Sequence, residues 1–154
     1  MAKLVCVTAA PDLSLVRELF AEYALAIAEP CCFEGFEREL ASLPGEYAPP
    51  RGALFLARGE DGAAGCVALR PLDALSAEMK RLYVRPAYRA HGVGRALAEA
   101  AIAAAREAGC ARVVLDTLPR MREAAALYRS LRFRQIPPYL PQPTPGASCF
   151  ELAL

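Results

Sequence analysis

The chain of 154 residues has a single histidine, His91, and no cysteine pair spaced C-x-x-C. It therefore offers no set of zinc ligands, and no metal is expected. Net charge is nearly absent, +1 at neutral pH, so no global field draws the protein to nucleic acid or to an anionic membrane; any anion site must be local. Long apolar runs are missing too. "AAIAAA" falls well short of the roughly 20 residues a membrane span needs, and "MAKLVCVTAAPD" turns polar too early for a secretory signal. These absences lead us to expect a soluble cytoplasmic protein without a nucleic-acid or membrane partner. The six cysteines lie mostly among apolar neighbours, as in "LVCV" and "AGCVAL", and read as reduced core thiols.

No internal repeat or domain boundary interrupts the chain, and residues 1–154 have the size of one domain able to bury about two-thirds of its unfolded surface. "KLVCVTA" (Lys3 to Ala9) predicts a first strand. Leu15, Val16, Leu19, Phe20, Tyr23 and Ile27 recur at helical spacing up to Pro30. A short helix is expected from Phe36 to Leu43, then an extended loop through "YAPPRG". "ALFLAR" and "AGCVALRP", separated by "GEDG", predict a hairpin, and "SAEMKRLYV" adds a third strand. The alanine-rich run from Gly94 to Ala108 predicts a helix ended by Gly109. "ARVVLDT" is more continuously apolar, as for a strand buried on both faces. "MREAAALYRSL" predicts a fourth helix, with "FRQI" and "SCFELAL" as closing strands. Between those strands five prolines from Pro137 to Pro145 make a stiff, shaped loop.

The stretch with chemical content is "RAHGVGRA", Arg89 to Ala96. Glycines at 92 and 94 at the mouth of a helix indicate close approach of backbone amides to a ligand. A nucleotide P-loop is excluded, because no Gly-Lys-Ser/Thr follows. A dinucleotide site is also disfavoured. Leu97 stands where the third glycine would be, "RPAYRAH" separates the glycines from the strand, and too little chain follows Asp116 for the remaining parallel strands. A pyrophosphate lying on a helix N-terminus fits better, since unpaired N–H groups and the positive dipole end meet it there, with Arg89 and Arg95 flanking.

"VRPAYRAHGVGRAL" resembles the coenzyme motif Arg/Gln-x-x-Gly-x-Gly/Ala of the GNAT (N-acetyltransferase) superfamily. "EMKRLYVRP" and "AAALYRSLRF" are similar to that superfamily's central strand and its Leu-Tyr-x-x-x-Gly-Phe segment, and the element order agrees over essentially the whole chain. The resemblance implies an α/β fold in which a mixed sheet of about seven strands is flanked by about four helices, in the order β-α-α-β-β-β-α-β-α-β-β. It implies acetyl-CoA as cosubstrate and direct transfer of the acetyl group to a primary amine in a ternary complex. The coenzyme contacts carried over are Leu82, Tyr83 and Val84 on the central strand, then Arg89, Ala90, His91, Gly92, Val93, Gly94 and Arg95 at the turn, with Ala124 and Tyr128 on the following helix. The Val84 N–H would face the thioester carbonyl. Tyr128 would donate to the departing thiolate, and Glu78 would act as general base, or else pair with a basic neighbour such as Arg70 or Arg81. Period two places Glu78 and Leu82 on one face unless a bulge intervenes.

Two positions depart from the family pattern. Arg132 replaces the glycine before Phe133, and Met121 stands where an asparagine is common. The acceptor is expected to be a small-molecule amine such as an amino acid, contacted by Phe33, Glu34, Arg51, Arg70 and Tyr139. A peptide or protein amine, or a coenzyme-binding module without transfer, are the other readings. The resemblance also allows a homodimer.

Overall fold

A computed structural model describes Cys6–Ala9, residues 12–29, Phe33 and residues 35–154. The elements follow the expected order. Strand β1 (Cys6–Ala9) precedes helix α1 (Leu13–Ile27) and helix α2 (Phe36–Ser42). Residues 3–5, assigned to the first strand from sequence, lie outside the described residues. Strands β2 (Ala53–Gly59), β3 (Gly62–Pro71) and β4 (Ser76–Val84) form an antiparallel meander. Helix α3 (Val93–Glu107), β5 (Arg112–Thr117), α4 (Arg122–Ser130), β6 (Arg134–Ile136) and β7 (Ser148–Ala153) complete the chain. The single sheet has the order β1-β2-β3-β4-β5-β7-β6.

Local chemistry sets the helix ends. Asp12 caps α1 by accepting a hydrogen bond from the Ser14 N–H at 2.9 Å, which removes one of the unpaired donors of the first turn. Gly92 sits in the left-handed region (φ 79°) and opens α3 without a side-chain cap. The apolar stripe of α1, Val16, Leu19 and Phe20, is fully buried on one face of the sheet with Leu54, Leu56, Cys66 and Ala68. Leu97, Ala98, Ala101 and Ala105 of α3 pack on the other face against Val67, Leu69, Val113 and Leu115. Each face thus has its own core. Cys66, Cys110 and Cys149 are buried free thiols.

Two irregularities in the sheet position the site. The parallel pairing of β4 with β5 extends only from Ser76↔Arg112 to Glu78↔Val114, so the two strands part beyond Glu78. Within β4 the register with β3 steps from Ala68↔Lys80 to Cys66↔Tyr83, and Arg81 has φ 62°. This is a β-bulge, in which one extra residue on β4 reverses the facing of all that follow. Ala77 and Met79 pack toward α3, and after the bulge so do Leu82 and Val84, while Tyr83 packs toward α1. Glu78 and Leu82 therefore lie on opposite faces, correcting the expectation from simple alternation. Gly65 pairs with Val84 just beyond the bulge, and a Cβ there would come within 2.4 Å of the Tyr83 carbonyl oxygen; only glycine fits. The expectation that β5 is buried on both faces holds for Val113, Val114 and Leu115 but fails at Asp116, which is exposed.

Candidate active site

The parted strands open two cavities that meet at Tyr23, Ile27, Leu82 and Met121. The larger, about 690 Å³, lies along the N-terminus of α3. Leu82, Tyr83 and Val84 form one wall; Arg89, Ala90, Gly92, Val93, Gly94 and Arg95 form the floor, and Ala124 the far side. These are ten of the residues expected to hold the coenzyme. His91, also expected there, does not line the cavity; its half-buried side chain sits at the turn behind it.

The turn is built from two left-handed residues, Ala90 (φ 64°) and Gly92 (φ 79°). The N–H groups of Val93, Gly94 and Arg95 occupy the first helical positions, where no carbonyl of the helix can reach them. A Cβ at Gly94 would meet Leu127 at 3.5 Å and Val84 at 3.6 Å, ordinary contacts, so alanine fits there. Arg89 is braced by its Nε donating to the Val84 carbonyl at 3.0 Å. Arg95 donates to Ser130 Oγ and lies 3.6 Å from Glu99. Arg120 and Arg122 add positive charge to the same groove; the sequence analysis missed them, although "PRMR" held the signal.

The smaller cavity, about 180 Å³, lies beyond the point of parting. Tyr128 lines it from α4, with only 5% of its surface exposed. It stacks at a tilt on Phe133, with ring centroids 5.7 Å apart. Desolvation is the main cause that pushes its hydroxyl well above the usual tyrosine value, with smaller contributions from Tyr23 and Asp116. Tyr128 therefore stays a proton donor across the neutral range.

Glu78 lines the same cavity and is 3% exposed. Both its carboxylate oxygens are engaged: Oε1 accepts from Arg70 Nε at 2.7 Å and Oε2 from the Tyr139 hydroxyl at 2.5 Å. The cross-strand pairing with Arg70 weighed from sequence is present, in register (Arg70↔Glu78). Arg70 in turn reaches Glu46 at 3.0 Å. Tyr139 brings the proline loop over this pair, and burial, followed by the charge of Glu78 and their hydrogen bond, raises its hydroxyl pKa strongly.

Arg81, carried by the bulge, forms a two-point ion pair with Glu39 of α2 (2.8 and 3.0 Å) and lies 4.6 Å from the Phe33 ring centroid. Phe33 and Arg70 line the small cavity as expected of acceptor contacts. Arg51 does not: its guanidinium donates to the Asp73 carbonyl, tying a loop to the β3–β4 turn. Glu34 lies outside the described residues. Lys80 and Asp116 also face the small cavity. Neither was named from sequence as a site residue for transfer, although Lys80 is two residues from Glu78 and Asp116 is the one charge in "VVLDT". Asp116 is pushed upward chiefly by desolvation and then by the charge of Glu78.

With this geometry in hand, comparison with known proteins is direct. Residues 17–133 match the Acetyltransferase (GNAT) family. The chain is 36% identical over 145 residues to an uncharacterised N-acetyltransferase of Schizosaccharomyces pombe, covering 93% of this chain and 89% of that protein. It superposes with a TM-score of 0.78 on a putative acyl-CoA N-acyltransferase from Klebsiella pneumoniae, at 25% identity over 98% of each chain. An acetyltransferase of Bacillus subtilis, solved in complex with CoA, shares the fold with a TM-score of 0.69 at 17% identity, covering 98% of this chain and 99% of that one. The chain belongs to the GNAT family and is, by class, an N-acetyltransferase.

Proposed function

We propose that the protein transfers the acetyl group of acetyl-CoA to the primary amine of a small molecule, by direct attack in a ternary complex. The observation that carries this reading is the parting of β4 from β5 after Glu78, which joins a groove along a helix N-terminus to a small pocket holding Tyr128. The residues present fit the coenzyme. Free N–H groups at Val93, Gly94 and Arg95 meet a pyrophosphate, and Arg89 and Arg95 supply counter-charge. The edge of β4 from Leu82 to Val84 is unpaired on the β5 side, so its backbone can pair with an extended amide arm and direct the Val84 N–H at the thioester carbonyl. That an acetyltransferase of Bacillus subtilis with the same fold was solved in complex with CoA supports CoA as the coenzyme.

The chain's own groups supply the proton chemistry. A tyrosine near 10 is already a weaker acid than a thiol near 8.5, so full proton transfer from it is uphill by about 2 kcal/mol. Burial raises Tyr128 further. Its task is therefore to hold a hydrogen bond to the developing thiolate, worth most in a dry pocket. The amine must arrive neutral, and the carboxylates able to relieve it of a proton are the two that face the pocket, Glu78 and Asp116. The proline loop, whose Leu140, Gln142 and Thr144 line that pocket, favours a small acceptor over an extended peptide.

The test is thiol release from acetyl-CoA across amino acids, polyamines, aminoglycosides and peptides, with mass spectrometry of the products. Turnover with small amines is expected. Acetyl-CoA binding without thiol release from any amine would refute transfer, and preference for peptides would refute the small acceptor.

A further inference from the structure

The small pocket holds five charged side chains: Arg70, Lys80, Arg81, Glu78 and Asp116. Three of them are satisfied within the protein. Arg70 is paired with Glu78 and Glu46, and Arg81 with Glu39. Lys80 and Asp116 remain, and among the described residues neither makes a side-chain hydrogen bond or ion pair with another side chain. They stand on the two strands that part, Lys80 on β4 two residues beyond the last pairing and Asp116 on β5 likewise. One pocket therefore presents one uncommitted cation and one uncommitted anion, close to Tyr128 and with an apolar remainder that includes Ile27, Phe33 and Leu118.

Resting on the acetyl-transfer reading, we infer that the acceptor is an amino acid bound as its zwitterion, its carboxylate on the Lys80 ammonium and its amine on Asp116, which takes the amine's proton. A cation and an anion lining one small pocket are the counter-charges that an aminocarboxylate needs, whereas a plain amine would leave Lys80 without a bound counter-charge. Lys80 is half-buried, so it gains more from a partner than it would in solution. Desolvation lowers Lys80 first, followed by the charge of Arg81, and a bound carboxylate would reverse both. Glu78 is less suited to take the proton, because Arg70 and Tyr139 occupy its two oxygens. The charged and titratable groups around Asp116 are Glu78, Lys80 and Arg81 on β4, Tyr139 of the proline loop, Cys149 of β7 and Tyr128 of α4.

The step balances. The ammonium loses one proton to Asp116, which passes it to solvent. The neutral nitrogen forms a bond to the acetyl carbon as the C–S bond breaks, and the second nitrogen proton ends on the departing sulfur beside the Tyr128 hydroxyl.

Thiol release is measured with the twenty common L-amino acids and, for the best of them, with its primary amide and its decarboxylated amine. In the wild-type protein kcat/KM for the acid should exceed that for the amide and the amine by at least about tenfold, the strength of a charge-assisted hydrogen bond. Lys80→Met should raise KM for the acid and bring that ratio near unity, and Lys80→Arg should restore much of it. Asp116→Asn should lower kcat/KM for every acceptor and remove the acidic limb of its pH profile. Thermal melts report whether each variant folds; should Lys80→Met fail to fold, the acid-to-amide ratio of the wild type decides. Equal use of amides or simple amines, or an undiminished preference in folded Lys80→Met, overturns the zwitterion. An acidic limb that survives Asp116→Asn, or vanishes in Glu78→Gln instead, overturns the proton assignment. Absence of transfer to any amine, with acetyl-CoA still bound, overturns this inference together with the activity on which it rests.

Discussion

Arg132 is the sharpest test of the packing argument. It follows α4 with φ 74°, in the left-handed position of a full helix-terminating motif. The Phe133 N–H reaches the Tyr128 carbonyl at 3.0 Å, the Arg132 N–H reaches the Arg129 carbonyl at 3.0 Å, and the Tyr128 and Phe133 rings pack at 5.7 Å. This is the arrangement that glycine ordinarily serves, because a Cβ is strained there. Arginine in this conformation costs about 1–2 kcal/mol relative to glycine. Placing glycine there also frees the unfolded chain, which returns roughly 0.4–1 kcal/mol of the gain. Arg132→Gly should thus stabilise the protein by about 0.5–1 kcal/mol, and at ~2–4 °C per kcal/mol for a chain of this size the melting temperature should rise by about 1–4 °C. The side chain is exposed, so Arg132→Ala, which keeps the strain and removes only the guanidinium, should stay within about 0.5 kcal/mol of wild type. Calorimetry and urea melts of the three proteins decide the matter. A glycine variant no more stable than wild type, with the alanine variant unchanged, would refute the strain argument. A large loss in the alanine variant would show that the guanidinium stabilises the fold instead.

Gly92→Glu should abolish acetyl-CoA binding by setting a carboxylate where phosphate must lie; a Cβ at Gly92 meets no atom of the protein, so Gly92→Ala isolates the backbone strain, and unchanged coenzyme affinity in Gly92→Glu by calorimetric titration would displace the site. Tyr128→Phe should lower kcat while leaving coenzyme affinity nearly unchanged, and wild-type turnover would reduce Tyr128 to packing. Burial pushes Glu39 upward, but the hydrogen bonds and charge of Arg81 more than reverse this, so its carboxyl lies below the ordinary 4.5. The stability it contributes is present above pH 4.5 and is lost as pH falls through its folded value. Glu39→Gln should accordingly be destabilised at neutral pH, with the gap to wild type narrowing below pH 4.5 in denaturant melts; a gap constant with pH would show that ionised Glu39 contributes nothing.

The order of strands and helices and the left-handed turn at the mouth of α3 were legible because each rests on local chemistry. "GEDG" needs only its own backbone freedom to become a hairpin turn, and "HGVG" ahead of an alanine-rich run marks a helix mouth whatever lies around it. Arg51 and Glu78 show where such reading stops. Nothing near Arg51 in sequence says that its guanidinium will be claimed by the Asp73 carbonyl across a turn. Likewise, Arg70 and Arg81 were equally available as the basic partner of Glu78 until the register placed Arg70 opposite it. Lys80 and Asp116 were readable as charges in apolar strands. That they are the two charges left over became evident only when every other charge in the pocket had found its counter-ion through the tertiary fold.

The bulge at Arg81 is the feature least visible in the sequence and the one on which the site most depends. A regular β4 would keep Glu78, Lys80, Leu82 and Val84 on one face, so the small cavity and the groove along α3 would compete for the same side of the sheet. One extra residue on β4, which leaves Arg81 and Leu82 together opposite Val67, reverses the facing, giving Glu78 and Lys80 to the small cavity while Val84 lines the groove and Leu82 stands where the two meet. The reversal requires a left-handed arginine, a strained conformation that must be held from outside. The hold comes from three directions: the two-point ion pair to Glu39, the Phe33 ring beneath the guanidinium, and the Cys66 thiol donating to the Arg81 carbonyl at 3.4 Å. Of these, Glu39 and Phe33 lie in α2 and the segment before it, and Cys66 on β3. Helix α2 and the segment before it, which supply no described residue to the groove, thereby fix the kink that separates the two cavities.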